Sequence, residues 1–405
     1  MHLHDDPATA TSGQKVPAAA VWTLGLTQVI GYGTLFYSFT ILAPAIAAEF
    51  DLPLQWMFGA LSVALFLGSL FAPTAGRLAD RYGAGHIMTY GSLGAAIALL
   101  ACAAAPGPIT FAIALVALEF AACFVLYATA FVAIVQSGSI GAQRSITHLT
   151  LIGGVASSVF WPLTSLLNAQ LGWREAFAIF AAINLLICLP IHAWISRIGT
   201  VQPVLAKSET AATDTAPAAP PSRTTFLFML AGFAIEGFVL GAILLHMVPL
   251  LNALGLGTAG VIVSTLFGPA QVASRLINMV LGGRLRQTVL AAIAAALLPL
   301  GLCMLLSTPN VIGIGIFVVL FGLGSGLISI IGGTLPLEVF GRRAYGASVG
   351  WMSAARQFST SFAPFVFALM MSGLTVPGAL AVLAGIGALG FATFVAIHRL
   401  AWRRG

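Results

Sequence analysis

Apolar and polar positions in this chain come in blocks rather than in alternation. Long runs without charge are separated by short stretches where Arg, Asp, Pro and Gly collect. The apolar runs cover roughly residues 20–48, 55–76, 85–105, 109–136, 146–170, 175–196, 225–253, 258–282, 288–307, 311–336, 345–372 and 377–398. About 20 apolar residues carry a helix across roughly 30 Å of hydrocarbon, where a backbone must satisfy its own N–H and C=O groups. Each run therefore predicts a membrane-spanning helix. The expected fold is an all-α membrane protein of twelve transmembrane helices, and the even number puts both termini on one side.

One stretch interrupts the series. Residues 197–223, RIGTVQPVLAKSETAATDTAPAAPPSR, are rich in Ala, Pro, Thr and Ser and have no apolar periodicity, which predicts a linker. The expected organisation is a cytoplasmic tail at 1–19, a six-helix half at 20–196, the linker at 197–223, a second six-helix half at 224–398 and a short tail at 399–405. A faint repeat agrees with it, GRL at 76–78 recurring at 283–285. Two similar halves joined by a linker describe a parallel repeat with a substrate site between them near the bilayer midplane. Residues before the first run include Asp5, Asp6 and Lys15 and lack the apolar core of a signal peptide.

Composition excludes a soluble protein: 59% of residues are hydrophobic, 7% are charged and mean hydropathy is +1.02, against about 25% charged in soluble domains. Charge placement gives the orientation. With the termini cytoplasmic, Lys15, Arg77, Arg81, Arg144, Arg197, Lys207, Arg223, Arg284, Arg286, Arg342, Arg343, Arg399, Arg403 and Arg404 fall on the cytoplasmic side and only Arg174 on the other. The net charge of +6 is then a topological signal rather than a nucleic-acid-binding surface. The expected location is the cell (inner) membrane, as a multi-pass and monomeric protein.

GRLADRYGAGH at 76–86 places Gly76, Arg77, Asp80, Arg81 and Gly83 between the second and third runs. Asp80 could face the positive end of a neighbouring helix, and the arginines suit an anionic leaflet. The stretch resembles the signature loop of the major facilitator superfamily, G-x-x-x-D-R-x-G, and the run count and central linker agree with that resemblance. It implies the major facilitator fold, transport by alternating access, and a role for this loop in latching the two halves when the outside is open. The basic residues that usually follow the second glycine are replaced by Ala84, Gly85 and His86.

Of the charged side chains (Asp, Glu, Lys, Arg), four lie in the interior of the apolar runs: Glu119, Glu236, Arg275 and Arg356. Intramembrane charges are costly and mark pathways. At 1.5 Å per residue all four sit about 13–17 Å from a membrane face, close to the midplane. Two arginines at one depth suit an anion, because a guanidinium stays charged and grips a carboxylate through two parallel hydrogen bonds. Arg275 and Arg356 are the expected substrate-binding pair, unless Glu236 or Glu119 neutralises them across helices. GPAQVASRLINMVLGGRL at 268–285 and PLEVFGRRAYGASVGWMSAARQ at 336–357 resemble the corresponding segments of the monocarboxylate and oxalate/formate branches. Tyr32, Phe36 and Tyr37 in the first run form a candidate aromatic wall, with Tyr32 and Tyr37 as hydrogen-bonding partners of substrate and Pro44 as a hinge. Glu236 is the first candidate for proton coupling, by competing with substrate for the arginines, and Glu119 the second; His148 and His246 follow.

Cys102, Cys123, Cys188 and Cys303 fall in separate runs with no C-x-x-C spacing, so neither disulfides nor a metal site are expected. Cys123, on a predicted cavity helix, raises the alternative of exporting a trivalent metalloid such as arsenite. Export of a drug stays open beside it, although LIGGVASSVFWPLTSLL at 151–167 lacks the glycine-rich signature of drug exporters. No hydrolase, metalloprotease or phosphate-cradle motif occurs, and no cofactor is expected; GLGSG at 322–326 lies inside an apolar run, where glycines serve helix packing. The expected function is a secondary active transporter, not an enzyme, moving a small mono- or dicarboxylate with protons or by exchange.

Overall fold

The computed structural model describes residues 15–138, 140–198, 223–253, 263, 265–281, 285–308 and 310–402. The expected linker, with Lys207, lies almost wholly outside these, as do Gly283 and Arg284. The described chain is helical, in segments labelled here α1 (Ala18–Glu49), α2 (Leu54–Tyr82), α3 (Ala84–Ala103), α4 (Pro108–Ser137), α5 (Ala142–Gln170), α6 (Trp173–Ile198), α7 (Arg223–Ala253), α8 (Phe267–Leu281), α9 (Gln287–Ser307), α10 (Val311–Phe340), α11 (Tyr345–Gly373) and α12 (Val376–Trp402). Ten of them are long and apolar enough to cross a membrane. The other two are α8, with 15 residues, and α11, whose first half carries Ser348, Ser353, Arg356, Gln357 and Ser359.

Several helices on the N-terminal side depart from α geometry. In α1, residues Tyr32–Tyr37 form a π-helical turn, and in α6 residues Asn184–Cys188 form another. The two are joined, Asn184 Nδ2 donating to Thr34 Oγ1 at 2.9 Å. In α4, Leu126 is extended (φ −82°, ψ −173°) and splits the helix. α5 is interrupted at Gly154–Val155. A break inside hydrocarbon frees backbone carbonyls that something must satisfy. At Leu126, Gln28 Nε2 donates to Val125 O at 2.8 Å and Thr129 Oγ1 to Cys123 O at 2.9 Å.

Packing separates the chain into groups on either side of residues 199–222. One apolar core is built wholly from α7–α12, around Phe233, Phe317, Phe321, Phe367 and Phe394. A second is built wholly from α1–α6, around Phe39, Phe111, Phe177 and Phe180. A third joins them at one end, where Ala79, Phe131, Ile134 and Ile146 meet Tyr345 and Val349. That end also carries Arg77, Arg81, Arg342 and Arg343 and is called the basic end below. At the opposite end Arg174 is held by Glu49 (2.7 Å) and by the carbonyls of Ala103 and Ala105, which closes the last turn of α3.

The stretch expected as a loop at 76–86 is not one. α2 continues through Tyr82, and the reversal is made by Gly83 alone at φ +89°. The helix outruns its apolar segment because its final turns are packed, Gly76 and Ala79 being buried against the other group.

Candidate functional site

The interruptions in α1, α4 and α5 surround one region. Tyr32 lies 4.6 Å (ring centroids) from Tyr127, the residue after the α4 break, and 6.3 Å from Tyr37, which meets Trp161 of α5 edge-on at 6.0 Å. Phe36 packs on both α1 tyrosines, so the π-helical turn presents three rings together. Tyr127 and Trp161 were not anticipated from sequence. The signal available was Gly153–Gly154: a side chain at Gly153 would strike the Tyr127 hydroxyl, and one at Gly154 would strike Arg275 Nη1.

Arg275 enters this region from α8. Its Nε donates to Ser329 Oγ of α10 at 3.2 Å, while Nη1 reaches across to the bare backbone of α5 at Gly154. The residue is 5% exposed and, among the described residues, Nη1 has no hydrogen-bond partner. Arg356 is exposed on α11, which approaches α7 closely because Gly237 carries no side chain. Of the expected residues Tyr32 and Tyr37 lie together with Tyr127, and Arg275 reaches Gly154 beside the glycine that faces the Tyr127 hydroxyl, while Arg356 stands exposed on α11. The alternative was that carboxylates neutralise the arginines; among the described residues no ion pair within 4.0 Å joins Arg275 or Arg356 to Glu236 or Glu119.

The acidic residues stand elsewhere. Glu119 is buried on α4 at its contact with Gly68 of α2, beside Cys123, whose thiol donates to Gly68 O at 3.3 Å. Glu236 is fully buried and turned toward Gly390 of α12, not toward either arginine. The expectation was that Glu236 competes with substrate for Arg275 or Arg356; in this structure the rotation of α7 places residue 236 in the α7–α12 seam and residue 237 against α11. His246 donates to Ala242 O within its own helix, at 3.0 Å. His192, not singled out from sequence, bridges Ser92 (2.7 Å) and Thr27 (3.0 Å) and ties α6 to α3 and α1.

At the basic end Asp80 accepts hydrogen bonds from the backbone N–H groups of Gly346 and Ala347, both at 2.8 Å. These are first-turn amides of α11, so the carboxylate sits on the positive end of that helix. Gly76 and Gly346 bring the backbones together, since a side chain at either would meet the other's carbonyl. Arg77 donates to Thr74 Oγ1 within α2, and Arg81 lies over the Tyr82 ring. Arg342 adds a contact the sequence had not indicated, donating to the carbonyls of Val135 and Gly138 at the end of α4.

Among the described residues no cluster of three His, Cys, Asp or Glu side chains could hold a metal ion. No curated protein sequence matches the chain. In overall shape it is similar to the crystal structure of the human organic anion transporter MFSD10 (TETRAN), at TM-score 0.68 and 15% identity over 93% of this chain and 98% of that one. It is likewise similar to the proton:xylose symporter XylE bound to 6-bromo-6-deoxy-D-glucose, at TM-score 0.66 and 12% identity over 92% and 95% of the two chains. Residues 24–364 match the sequence profile of the Major Facilitator Superfamily, and the chain belongs to that family of multi-pass membrane transporters.

Proposed function

We propose that the protein is a secondary active transporter of small organic anions, working by alternating access between two six-helix halves of a twelve-helix fold. The observation that carries this reading is Arg275. A buried guanidinium with an unpartnered nitrogen and no counter-ion is unfavourable by itself. A carboxylate entering between α5 and α8 would supply the missing acceptor, and Tyr37, Tyr127 and the exposed Arg356 stand ready to hold its other end. The relatives of similar shape carry different cargo, an organic anion and xylose, so the substrate class rests on the arginines and not on the fold.

The hydrogen bonds between the helix groups at the basic end run through Asp80 to α11 and Arg342 to α4, and the α2–α11 seam continues past Gly350 to Phe66 against Phe358 and Phe362. If that end is cytoplasmic, as the distribution of Arg and Lys argues, the structure is the state closed to the cytoplasm and Asp80 is part of its latch. Both termini are then cytoplasmic, in the inner membrane. Export of a metalloid is the weaker reading, because the Cys123 thiol is engaged with a backbone carbonyl at the α2–α4 contact.

Uptake into proteoliposomes from a panel of mono- and dicarboxylates, drugs and arsenite tests the proposal, with Arg275→Lys and Arg356→Lys alongside wild type. Carboxylate transport lost in both variants, with melting temperature retained and carboxylate-induced stabilisation gone, is the expected result. Wild-type protein that binds no carboxylate while both variants still move arsenite or a cationic drug would overturn it.

A further inference from the structure

The carboxyl group of Glu236 is enclosed between α7 and α12, away from the aromatic and arginine site. The residue is 0% exposed, and neither Oε1 nor Oε2 has a hydrogen-bond partner. Oε1 faces Gly390, where a Cβ would stand 3.1 Å away, and Ile235 closes the same glycine from the other side. One turn along, Gly232 packs on Phe394 and Thr393. The nearby Thr393 hydroxyl is committed to Gly390 O at 2.6 Å.

Among the described residues no opposite charge faces the group from the elements packed on it. On α11 the charged residue alongside is Arg356, which touches Gly237 with its backbone and stem and makes no ion pair with Glu236. On α12, His398 lies two turns beyond Gly390 and is bonded to Thr288, followed by Arg399. On α7 itself Arg223 and His246 are several turns away. Glu338, from α10, is spent on the first amides of α9.

A carboxylate that is wholly enclosed and has no paired cation is neutralised rather than kept charged. We infer that Glu236 is a proton-binding site, holding its proton inside the α7–α12 seam apart from the anion site and exchanging it only when the seam parts. The O–H bond then breaks toward entering water, leaving a carboxylate that water can solvate. Coupling on this account, which rests on the transporter reading, runs through helix packing and not through competition for Arg275 or Arg356.

Infrared spectroscopy of the purified protein reads the site directly, because a protonated carboxyl has a carbonyl stretch distinct from carboxylate and amide. At neutral pH wild type should show this band, Glu236→Gln should lose it, and Glu119→Gln should keep the Glu236 component. The glutamine variant keeps the shape and neutrality of the protonated acid and is expected to fold. Gly390→Ala, whose methyl would abut Oε1, should shift the same band, so a poor yield of Glu236→Gln leaves the assignment testable. A wild type without the band, or a band indifferent to both seam variants, overturns the site.

The separation of the two sites has its own readout. In Glu236→Gln, carboxylate affinity measured by thermal shift should stay within about twofold of wild type, as for independent sites, while proton-driven accumulation is lost. A loss of affinity as large as in Arg275→Lys would overturn the separation and leave the anion reading standing. Absence of carboxylate binding to wild type would sink the anion reading and leave the infrared assignment intact.

Discussion

In the N-terminal group, α1, α4, α5 and α6 each depart once from α-helical geometry, at Tyr32–Tyr37, Leu126, Gly154–Val155 and Asn184–Cys188. In the C-terminal group, α9, α10 and α11 run without a break although Pro299, Pro336 and Pro364 lie inside them. The intramembrane charges are distributed the other way, with Arg275, Arg356 and Glu236 in the C-terminal group and Glu119 alone in the N-terminal one. Both a bent backbone and a buried charge are costly in hydrocarbon. One group interrupts its helices to present rings, hydroxyls and bare backbone, and the other presents charge, with α9, α10 and α11 continuous. The two meet where Arg275 touches Gly154. At Leu126 no proline is adjacent, whereas the π-helical turn of α6 directly precedes Pro190, which has no N–H to offer that turn; Gln28, Thr129 and Asn184 take up freed backbone or hold the turn in place.

The largest expected effect tests the charged side of this division. Arg275→Lys keeps the charge and loses the planar fork, and with charge-assisted hydrogen bonds worth about 1.5–3 kcal/mol it should weaken carboxylate binding roughly 10- to 150-fold. Equal affinity in thermal-shift titrations would reduce Arg275 to a point charge.

A matched pair of glycines tests the bent side. A side chain at Gly33, in the π-helical turn, would strike the Phe160 ring, whereas one at Gly315 in straight α10 meets nothing within 4 Å. Gly33→Ala should lower stability by about 1–3 kcal/mol through overpacking. Gly315→Ala should be neutral or stabilise by up to about 1 kcal/mol. Melting curves that rank the two the other way would break the comparison.

Asp80→Asn tests the contact that joins the groups at the basic end. Removing a charge from the positive end of α11 costs about 0.3–2 kcal/mol, enough to shift the balance between the two access states up to roughly thirtyfold. Cysteines placed at the basic end should become more reactive in the variant; unchanged reactivity together with unchanged transport would leave Asp80 a plain surface charge. The smallest effect is that of Thr129→Val, which leaves the Cys123 carbonyl at the α4 break without its partner and should cost about 1 kcal/mol. A neutral result would mean that the α4 break is held by packing alone.

Much of the architecture was legible in the chain. Whether a segment enters hydrocarbon depends on its own composition, so apolar runs such as 109–136 and 311–336 mark α4 and α10 almost to their ends, and charges stranded in such runs name Arg275, Arg356, Glu119 and Glu236 without any structure. Even the partner of Asp80 could be anticipated in kind, because a lone carboxylate near a helix start seeks its amides. Tertiary structure decided the rest: that α2 runs on to Tyr82, that Arg275 reaches Gly154, that Tyr127 completes the aromatic cluster and that Glu236 faces α12. These outcomes depend on how each helix is rotated and which distant residue it meets, as when Asp80 bonds an amide 266 positions away. Hydropathy has no term for that. A helix that is apolar all round carries no moment to orient it, so its rotation is settled by glycines, ring stacking and hydrogen bonds between helices far apart in sequence.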